Sequence, residues 1–479
     1  MRVAIVGGGI AGLAAAYELE LAGRAGADVS YELFEAGSRL GGVIASSVVD
    51  GSVIERGPDS FLTEKPAALQ LCRELGLDKD FVASDDAHRK TYIVVRNRLV
   101  ELPDGLMFLV PTKIWPMVAT RLFGWWTKIR MGIELLLSPR ARGADESVAA
   151  LVRRHYGQEA VDRLADPLLS GIYGGDAAEL SAQAVLPRLV DMEAKYGSLT
   201  LGMLAGLAAR KAEAEESDVK PEPKPIFTTL RLGLQELVDA LVGQLDPQRL
   251  HVGQAVSRVD RFIDGWSVTT AGSEMKNLAN PQCFDAVIVA TPAWAAAEML
   301  GAVDRQLCDE LGRIPYSSSV TVNLVYDGEE MDPLPPGFGF LVPAVEGRAM
   351  LACTFIHRKF PGRTAPGKSV LRVFLGGARR PGLLNETDEA LSALVQRELF
   401  ELLEISAVPE LVKVQRWPRA MAQYAVGHKE RVERIHARLA ALPGLQLVGN
   451  AFDGIGISDC IRLGRVAAKG LVALRASAR

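Results

Sequence analysis

The first residues whose types and spacing suggest chemistry are Gly7, Gly8, Gly9, Ile10, Ala11 and Gly12. They follow the apolar run 3–6 and precede the helix-forming stretch 13–19. Gly7, Gly9 and Gly12 fit G-x-G-x-x-G, in which the first glycine turns the chain tightly, the second lets backbone approach a pyrophosphate, and the third lets helix and strand pack closely. The anion would rest on the helix N-terminus, where N–H groups lack intrahelical partners and the dipole favours negative charge. A second apolar stretch, 29–34, ends in Glu35, at roughly the 20-residue distance where a carboxylate accepts from both ribose hydroxyls. An acid there disfavours a ribose phosphate, and so NADP. A glycine turn beside a surface glutamate is the plain alternative. The strand before the glycines, the helix after them and the acid closing the next strand weigh against it.

Positioning such a loop takes a parallel sheet, and later segments read as returns to it. Residues 285–292 form a buried strand ending in Ala290-Thr291-Pro292, and 445–450 a strand leading into a glycine turn. Gly454, Ile455, Gly456 and Ile457 then open a terminal helix, a second helix N-terminus for a long dinucleotide. Stretches 250–259 and 265–269 read as hairpin strands. Between these returns, 105–210 is helix-rich, while Val320, Val322, Leu324 and Tyr326 alternate as in a half-buried strand and 387–404 has helical spacing. Residues 211–225 (KAEAEESDVKPEPKP) are charged and carry prolines, so they read as an exposed loop. The fold class expected is α/β (α+β overall). A discontinuous Rossmann-like domain takes 1–64, 226–295 and 436–479, a mixed-sheet substrate domain takes 65–104, 185–210 and 296–435, and a helical subdomain takes 105–184.

Composition narrows the function classes. Of 479 residues 48% are hydrophobic and 23% charged, the proportions of a globular chain. With 54 basic and 58 acidic side chains the net charge is −4, which gives no basis for nucleic acid as a partner. Five cysteines form no C-x-x-C pair and six histidines no ligand spacing, so neither a disulfide scaffold nor a metal is expected. The chain enters a strand at once, without a charged n-region, and holds no apolar run of about 18 residues. A cytoplasmic protein is expected. The stretch 107–137 mixes Trp115, Phe123, Trp125 and Trp126 with Lys113, Arg121, Lys128 and Arg130. It reads either as an interfacial amphipathic helix or as a helical subdomain whose aromatics pack inward or line a substrate cavity. The second is favoured, because aromatic stripes are usually core.

The octapeptide Glu35-Ala36-Gly37-Ser38-Arg39-Leu40-Gly41-Gly42 resembles the E-x(3)-R-x-G-G extension of the FAD-containing amine oxidase and protoporphyrinogen oxidase superfamily. In it the glycine pair lets backbone pass close to FAD, and Arg39 can offset diphosphate charge. Further along, 55–62 (ERGPDSFL), 111–114 (PTKI), 168–176 (LLSGIYGGD), Arg416-Trp417-Pro418, Gln423-Tyr424, Gly427-His428 and 449–461 resemble the protoporphyrinogen oxidase family. The likeness is nearest its bacterial, coproporphyrinogen III-oxidising branch in haem synthesis, and it spans nearly the whole chain. It implies an amine oxidase/p-hydroxybenzoate hydroxylase-like architecture, with a helical part that contacts membrane in some members. It also implies FAD contacts from Gly7 to Gly12, Glu35, Ala36, Arg39, Gly42, Gly57, Pro58, Asp59, Ser60, the Val256 backbone at the adenine, Trp417, and Gly454 to Ile457.

Substrate contacts are expected at Gly171 and Ile172, with Lys65 as a propionate partner and Arg89, Lys90, Arg358 and Lys359 as weaker candidates. The implied reaction removes six hydrogens from a porphyrinogen in three two-electron rounds, with O2 reoxidising the flavin to give H2O2. Pyrrole N–H protons can leave to water or through tautomerisation, so no acid or base is assigned. His357 and His428 are the candidates, although a lone histidine is more often structural. Monomer and homodimer are both compatible with the sequence. Two alternatives stand beside this reading. One is a flavin oxidase acting on amines or carotenoid precursors; the other is a non-catalytic prenyl-protein-binding chaperone of the same fold, against which the glycine turn before Asp459 counts.

Overall fold

The computed structural model describes residues 1–141, 143–216, 224–263, 265–271, 282–331 and 334–477. The chain forms two compact units, one from Met1–Ser84, Ile226–Pro315 and Glu430–Arg479, the other from Asp85–Pro225 and Tyr316–Lys429.

The first unit is built on a five-stranded parallel sheet. Its order is Leu250–Val252, β2 (Ser30–Glu35), β1 (Arg2–Val6), Ala286–Val289 and Leu445–Leu447. Val3 lies opposite both Tyr31 and Ala286, and Val3, Ala4 and Ile5 are fully buried, as a central strand covered on both faces requires. Helix α1 (Ile10–Arg24) follows β1 and buries Leu13, Ala14, Ala15 and Ala16. The C-terminal helix (Ile457–Ser477) lies so close to it that a Cβ on Gly464 would sit 2.1 Å from the Ala11 carbonyl oxygen.

Two expectations change here. Residues 65–84, assigned from sequence to the substrate domain, belong to this unit. The reason is burial: α2 (Pro66–Glu74) places Ala68, Leu71 and Cys72 in one core with Leu13, Ile461 and Leu471. Residues 296–315 and 430–435 likewise fall in this unit. The stretch 250–259 is not one hairpin arm. Leu250–Val252 joins the parallel sheet beside β2, and the hairpin is Val256–Phe262 against Gly265–Thr270.

The second unit has a seven-stranded mixed sheet. It runs in the order Leu411–Ala422, Tyr316–Asp327, Lys368–Gly376, Met350–Phe355, Gly339–Leu341, Thr91–Val95 and Arg98–Glu101. The alternating Val320, Val322, Leu324 and Tyr326 are all fully buried. Helix Asp388–Leu403, capped by the Thr387 side chain, adds Leu391, Val395 and Leu399 to their core. A separate helical core gathers Leu109, Leu122, Val148, Leu164 and Leu199. The charged stretch starting at 211 is corrected in part. Residues 211–216 are the last turns of helix Leu199–Glu216, since Ala, Glu and Lys are good helix formers whatever their charge; 217–223 lie outside the described residues.

Candidate functional site

In the first unit the loop between β1 and α1 is held by main chain against main chain. Gly7 adopts φ +109°, and a Cβ there would lie 2.9 Å from the Ala290 carbonyl oxygen. A Cβ on Gly12 would come within 2.0 Å of the Gly7 oxygen, and one on Gly8 within 2.5 Å of the Leu40 side chain. A Cβ on Gly9, which caps α1 without a side-chain hydrogen bond, would face open space. The Gly41 N–H donates to the Gly8 carbonyl at 2.8 Å, and Gly42, at φ +58°, leaves room for a Cβ only 3.1 Å from Gly9 Cα. Glu35 ends β2 and accepts from the N–H of Gly8 at 2.7 Å and of Gly37 at 2.6 Å, one on each oxygen. Each oxygen keeps a lone pair for a ribose hydroxyl.

The block 55–62 is fixed to the segment that follows the glycine pair, with the Arg56 N–H donating to the Ala45 carbonyl at 2.8 Å. A Cβ on Gly57 would sit 1.7 Å from the Val43 carbonyl oxygen, so any side chain there displaces backbone. Glu55 is buried and accepts from Ser46 Oγ at 2.5 Å and Leu234 N–H at 2.9 Å. Asp59 accepts from Ser60 Oγ, and its carbonyl accepts from Thr229 Oγ1. Pro58, Asp59 and Ser60 are half-buried, as is Val256 at the start of its strand. Ala36 is exposed beside the half-buried Glu35.

Arg39 has partners of its own in the chain. Its guanidinium donates to the carbonyls of Leu40, Ile44 and Gly42, closing the turn around the glycine pair. Its charge is engaged in local backbone, a role that charge alone does not reveal. The Lys65 ammonium meets Asp459 Oδ2 at 2.5 Å. Asp459 stands in the first turn of the C-terminal helix, just after Gly454 to Ile457. Burial pushes the Cys460 thiol up to about 12, which makes it a packing residue.

In the second unit, Gly171 and Ile172 ride on helix Asp166–Tyr173. Ile172 is exposed, whereas a Cβ on Gly171 would meet the Leu341 side chain at 3.0 Å. Side chains grip both ends of this block. Arg379 pairs with Asp166, the first residue of the helix, at 2.7 Å and with both Asp176 oxygens at 2.7 and 2.8 Å beyond its end. Gln423 Nε2 donates to the Tyr173 carbonyl at 2.8 Å. Bonding to Arg379 holds the Asp176 carboxyl below the usual carboxylate range; burial pushes Asp166 up despite the same guanidinium. A cavity of about 240 Å³ adjoins the block, lined by Asp166, Ser170, Gly174, Arg348, Arg379 and Arg380 among others. Trp417, half-buried, sits on strand Leu411–Ala422 opposite Ser319.

The histidine candidates have structural surroundings. His357 contacts the Val370 backbone, and burial lowers its imidazole to about 4, so it is neutral at pH 7. His428 is buried and stacks on Tyr424 with ring centroids 4.1 Å apart. Among the described residues no cluster of three His, Cys, Asp or Glu side chains could hold a metal.

The flavin-containing amine oxidoreductase family matches residues 10–472. The chain belongs to that family. Among members and relatives, it is 34% identical to coproporphyrinogen III oxidase of Bacillus subtilis, covering 97% of each chain. It is 31% identical to human protoporphyrinogen oxidase, again covering 97% of each. A solved structure from Exiguobacterium, named for protoporphyrinogen oxidase, superposes with a TM-score of 0.85 at 29% identity over 99% of each chain. The chain is thus a flavoprotein-type oxidoreductase related to the coproporphyrinogen and protoporphyrinogen oxidases at modest identity. The family's cofactor fits the loop described above: a glycine cradle open at Gly9, a helix N-terminus behind it, and a carboxylate at the end of β2.

The inward-packing reading of the 107–137 aromatics is corrected. Phe123 is buried, but Trp115, Trp125 and Trp126 are 81%, 68% and 85% exposed. Helix Trp125–Ile133 turns Thr127 and Met131 inward, which leaves the tryptophans on its outer side. Sequence reasoning missed Arg379 as a clamp on the Asp166–Asp176 block. No local signal marks it, because its partners lie some 200 residues away. Gln423 was singled out by its Gln-Tyr motif, but its contact with Tyr173 was not.

Proposed function

We propose that the chain is an FAD-dependent oxidase that converts a porphyrinogen to the porphyrin in haem biosynthesis, with O2 as acceptor and H2O2 as product. Coproporphyrinogen III is the foremost substrate and protoporphyrinogen IX the competing one. The similarity to coproporphyrinogen III oxidase along nearly the whole chain carries this reading. FAD would rest on Gly7 to Gly12 with its ribose at Glu35, with further contacts from Ala36, Gly42, Gly57 to Ser60, the Val256 backbone, Trp417 and Gly454 to Ile457. When bound, the flavin supplies two-electron acceptance. The chain's own part is placement: Ile172 offers the macrocycle an exposed apolar side chain, Gly171 beside it has no room for a side chain against Leu341, and their helix is tied by Arg379 at its start and just beyond its end. His357, neutral and turned to backbone, has no assigned proton to move, and pyrrole protons leave to water.

The test is to purify the protein, record its flavin spectrum, and follow porphyrin fluorescence in air from each porphyrinogen. Faster turnover of coproporphyrinogen III supports the reading, while preference for protoporphyrinogen IX moves the chain to the protoporphyrin route. Bound flavin with no porphyrin from either substrate, and turnover of an amine instead, points to the other flavin oxidases. A colourless protein with no flavin points to the chaperone.

A second reading concerns location, and the exposed tryptophans favour it. Ile114, Trp115, Trp126 and Leu136 are each at least 76% exposed within one short stretch, with Lys113 and Arg121 nearby. Such a face suits the headgroup region of a bilayer, and we propose a cytoplasmic protein that docks on the inner membrane face. No helix of the described residues is long and apolar enough to cross a membrane. Co-sedimentation with phosphatidylglycerol vesicles should be lost in Trp115→Ser/Trp126→Ser, while folding stability changes by at most about 0.5 kcal/mol. Wild-type protein that stays in the supernatant would remove the membrane from the account.

A further inference from the structure

We propose that Lys65 is a positioning residue for the cofactor end of the site. Through Asp459 it would brace the Gly454–Ile457 turn, in place of the propionate contact expected from sequence. The inference rests on the flavin reading above. Lys65 immediately precedes α2, and its backbone is extended at φ −91° and ψ 107°. From there two contacts reach the C-terminal helix in opposite senses. The Lys65 ammonium donates to Asp459 Oδ2 at 2.5 Å, and Ser458 Oγ donates to the Lys65 carbonyl at 3.1 Å.

Asp459 is the wall against which the turn rests. A Cβ on Gly454, at φ +120°, would lie 2.3 Å from Asp459 Cγ, and one on Gly456 would lie 3.3 Å from Oδ2. The carboxylate side chain is 11% exposed and stands in the first helical turn, where the helix dipole favours it. Arg462 of the same helix donates to the Asp453 carbonyl at 2.9 Å, holding the other side of the turn. Lys65 brings the tie from a different element. Moving the ammonium away would leave a mostly buried carboxylate without its cation and loosen the glycine turn beside it. The Lys65 side chain is 46% exposed, so the effect is moderate rather than lethal to the fold.

The two roles differ in what they read out. A propionate partner affects substrate affinity and leaves flavin alone, whereas a brace affects flavin retention before any substrate is added. Holoenzyme of Lys65→Ala, Lys65→Arg, Asp459→Asn and Lys65→Ala/Asp459→Asn would be diluted and the rise of free FAD fluorescence followed. Thermal melts monitored by circular dichroism check folding. KM would then be measured for coproporphyrinogen III and protoporphyrinogen IX.

The proposal expects Lys65→Ala and Asp459→Asn each to release FAD about fivefold faster. The double variant should release it no faster than the worse single, Lys65→Arg should stay near wild type, and the two KM values should move by the same factor. Wild-type release from Lys65→Ala, with the coproporphyrinogen KM alone raised, would overturn it and restore the propionate role. If Lys65→Ala does not fold, Lys65→Gln keeps the stem and reads the same release rate. Wild-type protein without flavin absorbance would overturn the cofactor reading itself, a failure visible before any variant is made.

Discussion

Around Gly7–Gly12 the chain is held chiefly where main chain meets main chain, with the Glu35 carboxylate as a local side-chain tie, whereas around Asp166–Asp176 it is held by side chains reaching from distant strands. In the first region the closest approaches are a would-be Cβ on Gly57 to the Val43 oxygen at 1.7 Å and one on Gly12 to the Gly7 oxygen at 2.0 Å. In the second they are the Arg379 guanidinium on two carboxylates and the Gln423 amide on a carbonyl. The difference sets what each region can tolerate. Backbone contacts admit no added volume but are indifferent to charge. Side-chain clamps admit volume changes but depend on charge and pH.

The largest effect should come from adding one methyl group in the first region. Gly57→Ala and Gly12→Ala should each cost about 3 kcal/mol in urea unfolding and abolish flavin retention. A Gly57→Ala protein with full flavin content and wild-type stability would break the contrast.

Next comes the clamp. Arg379→Gln removes the partner of Asp166, which is 4% exposed, but Arg379 itself is about a third exposed, so the loss should be about 2 kcal/mol. Flavin content should hold while the porphyrinogen KM rises, because the block it grips carries Gly171 and Ile172. Loss of flavin in this variant would mean that the two regions are not held independently.

The smallest effect is a pH dependence. The folded imidazole of His357 is lowered to about 4 by burial, below its unfolded value near 6.5. Between those values the unfolded chain binds a proton that the folded chain does not, so stability falls as pH drops from 6.5 towards 4 and levels off below. The loss should appear across that window and not at neutral pH, and His357→Gln should lack that component. Equal acid profiles for the two proteins would remove His357 as the cause. Asp176, held low by Arg379, contributes stability above the ordinary carboxylate range that is lost at still lower pH.

The same contrast decides what could be read from the sequence. A backbone approach dictates residue type, so Gly7, Gly12 and Gly57 announce themselves, and Glu35 follows at a fixed distance. The central strands were legible for a related reason, as 3–6 and 286–289 are apolar throughout and buried on both faces. A clamp dictates only that some cation be present, and Arg379 is one of 54 basic residues with nothing local to mark it. Arg39 and Lys65 were picked out as cations, yet what each one faces depends on folding, and both turned to partners within their own unit. Trp115, Trp125 and Trp126 show the same gap, because their spacing identifies a helix but not which side of it meets the core. Residues 211–216 show it as well, because their charged composition suits an exposed loop and a good helix equally.

The proposed activity is electron transfer from a porphyrinogen to bound flavin. Its most direct test is anaerobic mixing of the purified yellow protein with coproporphyrinogen III, following flavin absorbance and porphyrin fluorescence together. The account expects the flavin band to bleach as coproporphyrin appears, with three flavins reduced per porphyrin formed and the colour restored on admitting O2. A flavin that stays oxidised in the presence of both coproporphyrinogen III and protoporphyrinogen IX would contradict it.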